Sequence, residues 1–224
     1  MTTGLSIRLA KSIICPHCNT KIDTVPLKIL QPKLLVVEGK DEEGFFTALL
    51  REANIKDVQV VGIGGKTNTK PHLKALTNDP KFSQIASIGI IRDADADPEN
   101  TFQSVLEALT AAGLSCPKRP LSFVKGPPKV GIMIIPSHQK LGALEDLCLQ
   151  AIAADPATPC IEQFFDCLGQ QGLPVTRELS KAKVRVFLSS REDPTLSLGT
   201  AAPKGYWPLD NRAFESVCKF LQSL

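Results

Sequence analysis

The chain has no apolar run long enough to cross a membrane. Stretches such as Leu34-Leu35-Val36-Val37 are a fraction of the ~20 residues that a spanning helix needs. A secretory signal is missing too, because Arg8 and Lys11 interrupt what would be its apolar region. Both absences point to a cytoplasmic protein. A large charge of either sign is also lacking. The net charge is +3, which neither demands nor excludes nucleic acid, since a basic groove can exist on a nearly neutral protein. The composition does not fit disorder: 43% of residues are hydrophobic and 22% charged, as in an ordinary globular domain. No internal repeat is visible.

Paired cysteine motifs are scarce as well. Seven cysteines are scattered along the chain, an odd number that reads as reduced thiols rather than a disulfide framework. Cys15-Pro16-His17-Cys18 is a single C-x-x-C turn. A structural zinc site needs four ligands, usually from two such turns. Cys15 and Cys18 therefore read first as free thiols in an N-terminal hairpin. They would hold zinc only if His17, a distant cysteine or a second subunit completed the set.

What is present is a series of apolar runs that end in carboxylates. Leu34 to Val37 reads as a buried strand and runs into Glu38-Gly39-Lys40-Asp41-Glu42. Asp41 is placed to cap a helix from Glu42 to Ala53, with Phe45, Phe46, Leu49 and Leu50 on one face. Val58 to Ile63 is a second strand, leading into Gly64-Gly65-Lys66-Thr67. A nucleotide P-loop would need glycine where Val60 stands, so that motif is rejected. A short helix through His72, Leu73 and Leu76 follows.

Ile85 to Arg92 is a third strand, ending in Asp93-Ala94-Asp95-Ala96-Asp97. Residues two apart on an extended chain point the same way, so Asp93 and Asp95 are expected to crowd their charges on one side. Asp97-Pro98 is a helix start, with the helix running to about Ala112 and stopping at Gly113. Val130 to Ile135 is a fourth strand, ended by Pro136, and Glu145 and Asp146 open the next helix. Neighbouring helical side chains diverge by ~100°, so one of the two faces the acidic cluster, and Glu145 is favoured. His138 reads as a loop residue. Helices are expected over Ile161 to Leu168, Thr176 to Leu188 and Asp210 to Leu224. Ser189 to Pro208, rich in Ser, Thr, Pro and Gly, is expected to be a long loop.

This order predicts an α/β fold: a mainly parallel four-stranded sheet flanked by helices, with a helical C-terminal extension. The expected divisions are an N-terminal appendage over 1–31, an α/β domain over 32–155, and an extension over 156–224 packed on that domain. Hard carboxylate oxygens at strand ends suit Mg²⁺ or Mn²⁺. An EF-hand loop from Asp93 fails, because Pro98 and Ser104 stand where glycine and glutamate are required. A haloacid-dehalogenase-like motif fails at Asp97.

The Leu34–Glu42 segment, followed by a strand ending in Asp93-Ala94-Asp95, resembles the Toprim domain of topoisomerases, bacterial primases, OLD-family nucleases and recombination mediators. With Gly142-Ala143-Leu144-Glu145-Asp146-Leu147 added, the resemblance is to a stand-alone prokaryotic Toprim family related to the OLD nucleases, over about residues 33–155. It implies phosphoryl transfer dependent on Mg²⁺ or Mn²⁺, chiefly nuclease activity on DNA or RNA. Glu38 would be a metal ligand or general acid/base, and Asp93 and Asp95 metal ligands; Glu145 is a further candidate ligand. Lys40, Lys66 and Arg92 adjoin the acidic loops as candidate phosphate contacts. OLD proteins pair the domain with an ATPase, so a separate ATPase is an expected partner. The second reading is a non-catalytic module that binds nucleic acid or a protein. Tyr206, the one tyrosine, receives no role.

Overall fold

The structure is a computed structural model that describes residues 13–14, 21–22 and 28–224. Cys15 and Cys18 lie outside the described residues. Two short strands, β1 (Ile13–Ile14) and β2 (Lys21–Ile22), form an antiparallel ladder. A separate sheet contains β3 (Lys33–Val37), β4 (Val58–Gly62), β5 (Ser87–Asp93), β6 (Phe123–Val124) and β7 (Lys129–Ile135). Its order is β4-β3-β5-β7-β6. The first four of these strands run parallel, while β6 closes the edge antiparallel to β7. The sheet thus has one strand more than the sequence predicts. At two residues, β6 is too short to carry an alternation.

Strand parity sorts the core into two layers. Leu34, Val36, Ile88, Ile90, Ile132 and Ile134 pack on one face against α2 (Thr69–Thr77) and α3 (Pro98–Ala111). Leu35, Val37, Ile91, Met133 and Ile135 pack on the other. That second face is covered by α1 (Lys40–Glu52), α4 (Leu144–Ala151), α6 (Leu179–Ser189), α7 (Leu198–Ala201) and α8 (Glu215–Gln222), with Ile161 of α5 (Thr158–Gln170). Helices from 156–224 therefore share one core with the α/β elements. Gly89 of β5 shows how close the fit is: a Cβ there would stand 2.7 Å from Leu224 and 3.2 Å from Phe220.

The α3 start follows the expected chemistry. Asp97 accepts the Asn100 N–H at 2.9 Å, and Pro98 opens the helix without needing a partner for a missing N–H. Asp41 behaves differently. The cap of α1 is Gly39, and Asp41 lies inside the first turn. Its carboxylate instead accepts the Ser197 hydroxyl and the Gly199 N–H, at 3.1 Å for the latter. The 189–208 stretch is correspondingly no long loop. It contains α7 and a 3₁₀ turn at Ala202–Lys204, and it buries Leu198, Ala201, Ala202 and Trp207. Gly44 of α1 and Gly199 of α7 allow this approach: a Cβ on Gly199 would meet the Asp41 carbonyl at 2.3 Å, and one on Gly44 the Gly199 carbonyl at 2.8 Å. Among the described residues, no helix is long and apolar enough to cross a membrane.

Candidate functional site

The C-terminal ends of β3 and β5 lie side by side, as open parallel sheets place their sites. Glu38 follows β3 directly, and Arg92 and Asp93 close β5. Parity sends consecutive residues to opposite faces. Arg92 continues the Ile88, Ile90 row and is only 4% exposed. It donates from Nε to Glu38 Oε2 at 3.1 Å and from Nη1 to Thr69 Oγ1 at 2.9 Å. Asp93 continues the Ile91 row and faces α1 and α4, where Oδ1 accepts the Leu144 N–H at 3.1 Å.

Asp93 is a strongly perturbed carboxyl. Burial, then the negative charges of Glu42, Glu145 and Glu38, push it up to about 8. Glu42 is itself raised, first by burial and then by Glu38 and Asp41. Glu145 is raised by burial, against the help of Lys181 and with further repulsion from Glu42 and Asp146. Four carboxylates, Glu38, Glu42, Asp93 and Glu145, therefore form one mutually repelling group.

Asp95 stands apart from it. The strand ends at Asp93, and Asp95 has a left-handed φ of 50°, so the two-residue alternation no longer applies. Its backbone pairs with Gly142 in both directions, at 2.9 and 3.1 Å. Its carboxylate reaches outward to Lys66 Nζ at 3.2 Å. Lys40 is exposed at the start of α1. Asp146 turns back on its own helix, accepting the Ala143 N–H at 2.8 Å, and also takes the Ser180 hydroxyl at 2.6 Å. His138 sits in its loop between Glu99, at 3.6 Å, and the Phe102 ring.

Residues 32–224 match the family described as "Protein of unknown function (DUF3226)". The chain belongs to this family. No curated protein matches it. Among solved structures, it is similar to the C-terminal region of the Xanthomonas campestris pv. campestris OLD protein. The form phased with mercury is 14% identical, with 88% of this chain and 97% of that chain covered and a TM-score of 0.47. For the form phased with platinum the values are 14%, 86%, 93% and 0.48.

In this DUF3226 protein, two participants go beyond the sequence reading. Glu42 was legible only as one of several acids after Gly39. Lys181, on α6, is remote in sequence. Burial opposes its charge, but Glu145, Glu178 and Asp93 together push its pKa up. It borders an open groove of about 550 Å³, lined by Glu145, Lys181, Arg185, Leu188, Leu196 and Ser197 among others. Among the described residues, no three His, Cys, Asp or Glu side chains are placed close enough to share one metal ion. The expected convergence of Glu38, Asp93 and Asp95 is therefore not found. The fit to a divalent cation lies in donor chemistry: hard oxygens, excess negative charge, and an Asp93 whose ionisation a nearby cation would favour. The five cysteines among the described residues are free, and Cys148, fully buried, has its thiol pushed well up by burial.

Proposed function

We propose that this protein carries out divalent-metal-dependent phosphoryl transfer, as a nuclease acting on DNA or RNA. The observation that carries the reading is the state of Asp93: a carboxyl at the end of a central parallel strand, pushed up to about 8 by burial and three neighbouring acids. Such a group is costly to keep for structure alone, because burial and like neighbours both oppose the ionised form that a carboxyl ordinarily takes at neutral pH. The Toprim-like spacing of Glu38 and Asp93 supports the same reading. Asp93 with one of its neighbours Glu38, Glu42 and Glu145 would hold Mg²⁺ or Mn²⁺, as one or two carboxylates completed by waters and substrate phosphate suffice for such an ion. When bound, the ion would neutralise phosphoryl oxygens and lower the pKa of an attacking water.

The chain's own residues do the rest. Arg92 holds one oxygen of Glu38. Leu144 N–H fixes one oxygen of Asp93. Lys66 and Lys181 are exposed cations suited to substrate phosphates. The resemblance also brings a separate ATPase as partner, which co-purification tests.

The test is cleavage of single- and double-stranded DNA and RNA with EDTA, Mg²⁺ or Mn²⁺, using wild type and Asp93→Asn. Cleavage that needs the ion and is lost in the variant is expected. Metal-independent cleavage, or full activity in the variant, refutes the reading. Nucleic-acid affinity with no turnover in any metal would favour a binding module instead.

A further inference from the structure

Among the described residues, the buried polar or charged side chains are Thr69, Ser87 and Arg92. Two of these three are bonded to each other. Arg92 Nη1 donates to Thr69 Oγ1 at 2.9 Å, and Thr69 Oγ1 in turn donates to the Lys66 carbonyl at 3.0 Å. From the other side of the guanidinium, Nε reaches Glu38 Oε2 at 3.1 Å. One buried fork thus links three pieces of chain: the end of β3, the glycine-rich turn before α2, and α2 itself. A backbone bond parallels it, from Gly65 N–H to the Glu38 carbonyl at 2.8 Å.

A guanidinium 4% exposed has no surface to offer a substrate phosphate. Its desolvation is offset only by partners in fixed geometry, and the planar fork enforces that geometry in a way an ammonium does not. The pair engages one oxygen of Glu38 and sets the plane of the carboxylate, while Glu38 keeps 25% of its side chain exposed.

We propose that Arg92, locked by Thr69, is a positioning residue that orients Glu38 for the divalent ion, and is not a substrate contact. This inference rests on the metal-dependent reading above. Outer partners of metal ligands commonly govern affinity, by about 10–100-fold when removed.

The experiment titrates Mn²⁺ into the whole 224-residue chain by calorimetry, for wild type, Arg92→Lys and Thr69→Val. Steady-state cleavage and circular-dichroism melting are measured on the same samples. Mn²⁺ affinity should fall by about tenfold or more in Arg92→Lys, and by less in Thr69→Val. In both, kcat should fall while KM for nucleic acid holds. Thr69→Val keeps the Arg92 charge and the side-chain shape, so it decides alone if Arg92→Lys does not fold. Mn²⁺ binding that is normal in the variants overturns the inference while leaving the metal reading intact. A rise in KM alone, with a shallower salt dependence, does the same and makes Arg92 a phosphate contact. A wild-type protein that binds no Mn²⁺ and cleaves nothing overturns both.

Discussion

Neutralising Asp93 should make the metal-free protein more stable and inactive at once. Asp93 titrates at about 8 in the folded chain against an ordinary 3.8. Between those values the folded protein retains a proton that the unfolded chain has released. The stability it contributes is thus fully present below pH ~4 and is lost as pH rises to ~8, at about 1.4 kcal/mol per pH unit. The whole interval sets a ceiling of about 5–6 kcal/mol. Partial exposure and the freedom of Glu42 and Glu145 to swing away reduce the expected effect to about 2–3 kcal/mol. Asp93→Asn keeps the shape and can still accept the Leu144 N–H, so it removes this loss. At pH 8 in EDTA the variant should melt about 4–12 °C above wild type, and near pH 4 the two should coincide. Mn²⁺ should raise the wild-type melting temperature and leave the variant's unchanged. Melting by circular dichroism from pH 4 to 8.5 checks all three. A variant that melts below wild type at pH 8, or a wild-type profile flat across the interval, would refute the reasoning.

Asp95→Asn should be mild, because its exposed pair with Lys66 is worth about 0–1 kcal/mol, and it should retain far more cleavage than Asp93→Asn. Equal losses in the two would return Asp95 to the metal site. Arg185→Ala, on the groove wall, should raise KM, leave kcat unchanged, and reduce the slope of log KM against log salt by about 1. Gly199→Ala forces a Cβ onto the Asp41 carbonyl and should cost about 1–3 kcal/mol in urea unfolding.

Much of the fold was legible because apolar runs alternated with amphipathic stretches, and because Asp97-Pro98 marks a helix start by local chemistry alone. The site was less so. Alternation located Asp93, but it misled at Asp95, where the strand had already ended and the backbone turned left-handed. The same parity, applied one residue earlier, would have buried Arg92 with Ile88 and Ile90 instead of offering it to substrate. Glu42 needed the third dimension, since nothing in Lys40-Asp41-Glu42-Glu43 tells which acid faces Asp93. Asp41 carried a capping signature, yet its partners Ser197 and Gly199 lie more than 150 residues away. Composition made 189–208 resemble a loop, while Leu198 and Trp207 were the sign that it packs.

The Asp41 anchorage has a consequence for synthesis. The acidic helix that follows β3 is made early, but the surface it leans on is made more than 150 residues later. Until residues 197–224 have left the ribosome, one face of the sheet lacks α7, α8 and Trp207, and the Asp41 carboxylate of α1 lacks Ser197 and Gly199. The first turn of α1, which carries Glu42, therefore gains its Asp41 anchor only after Ser197 and Gly199 have been made.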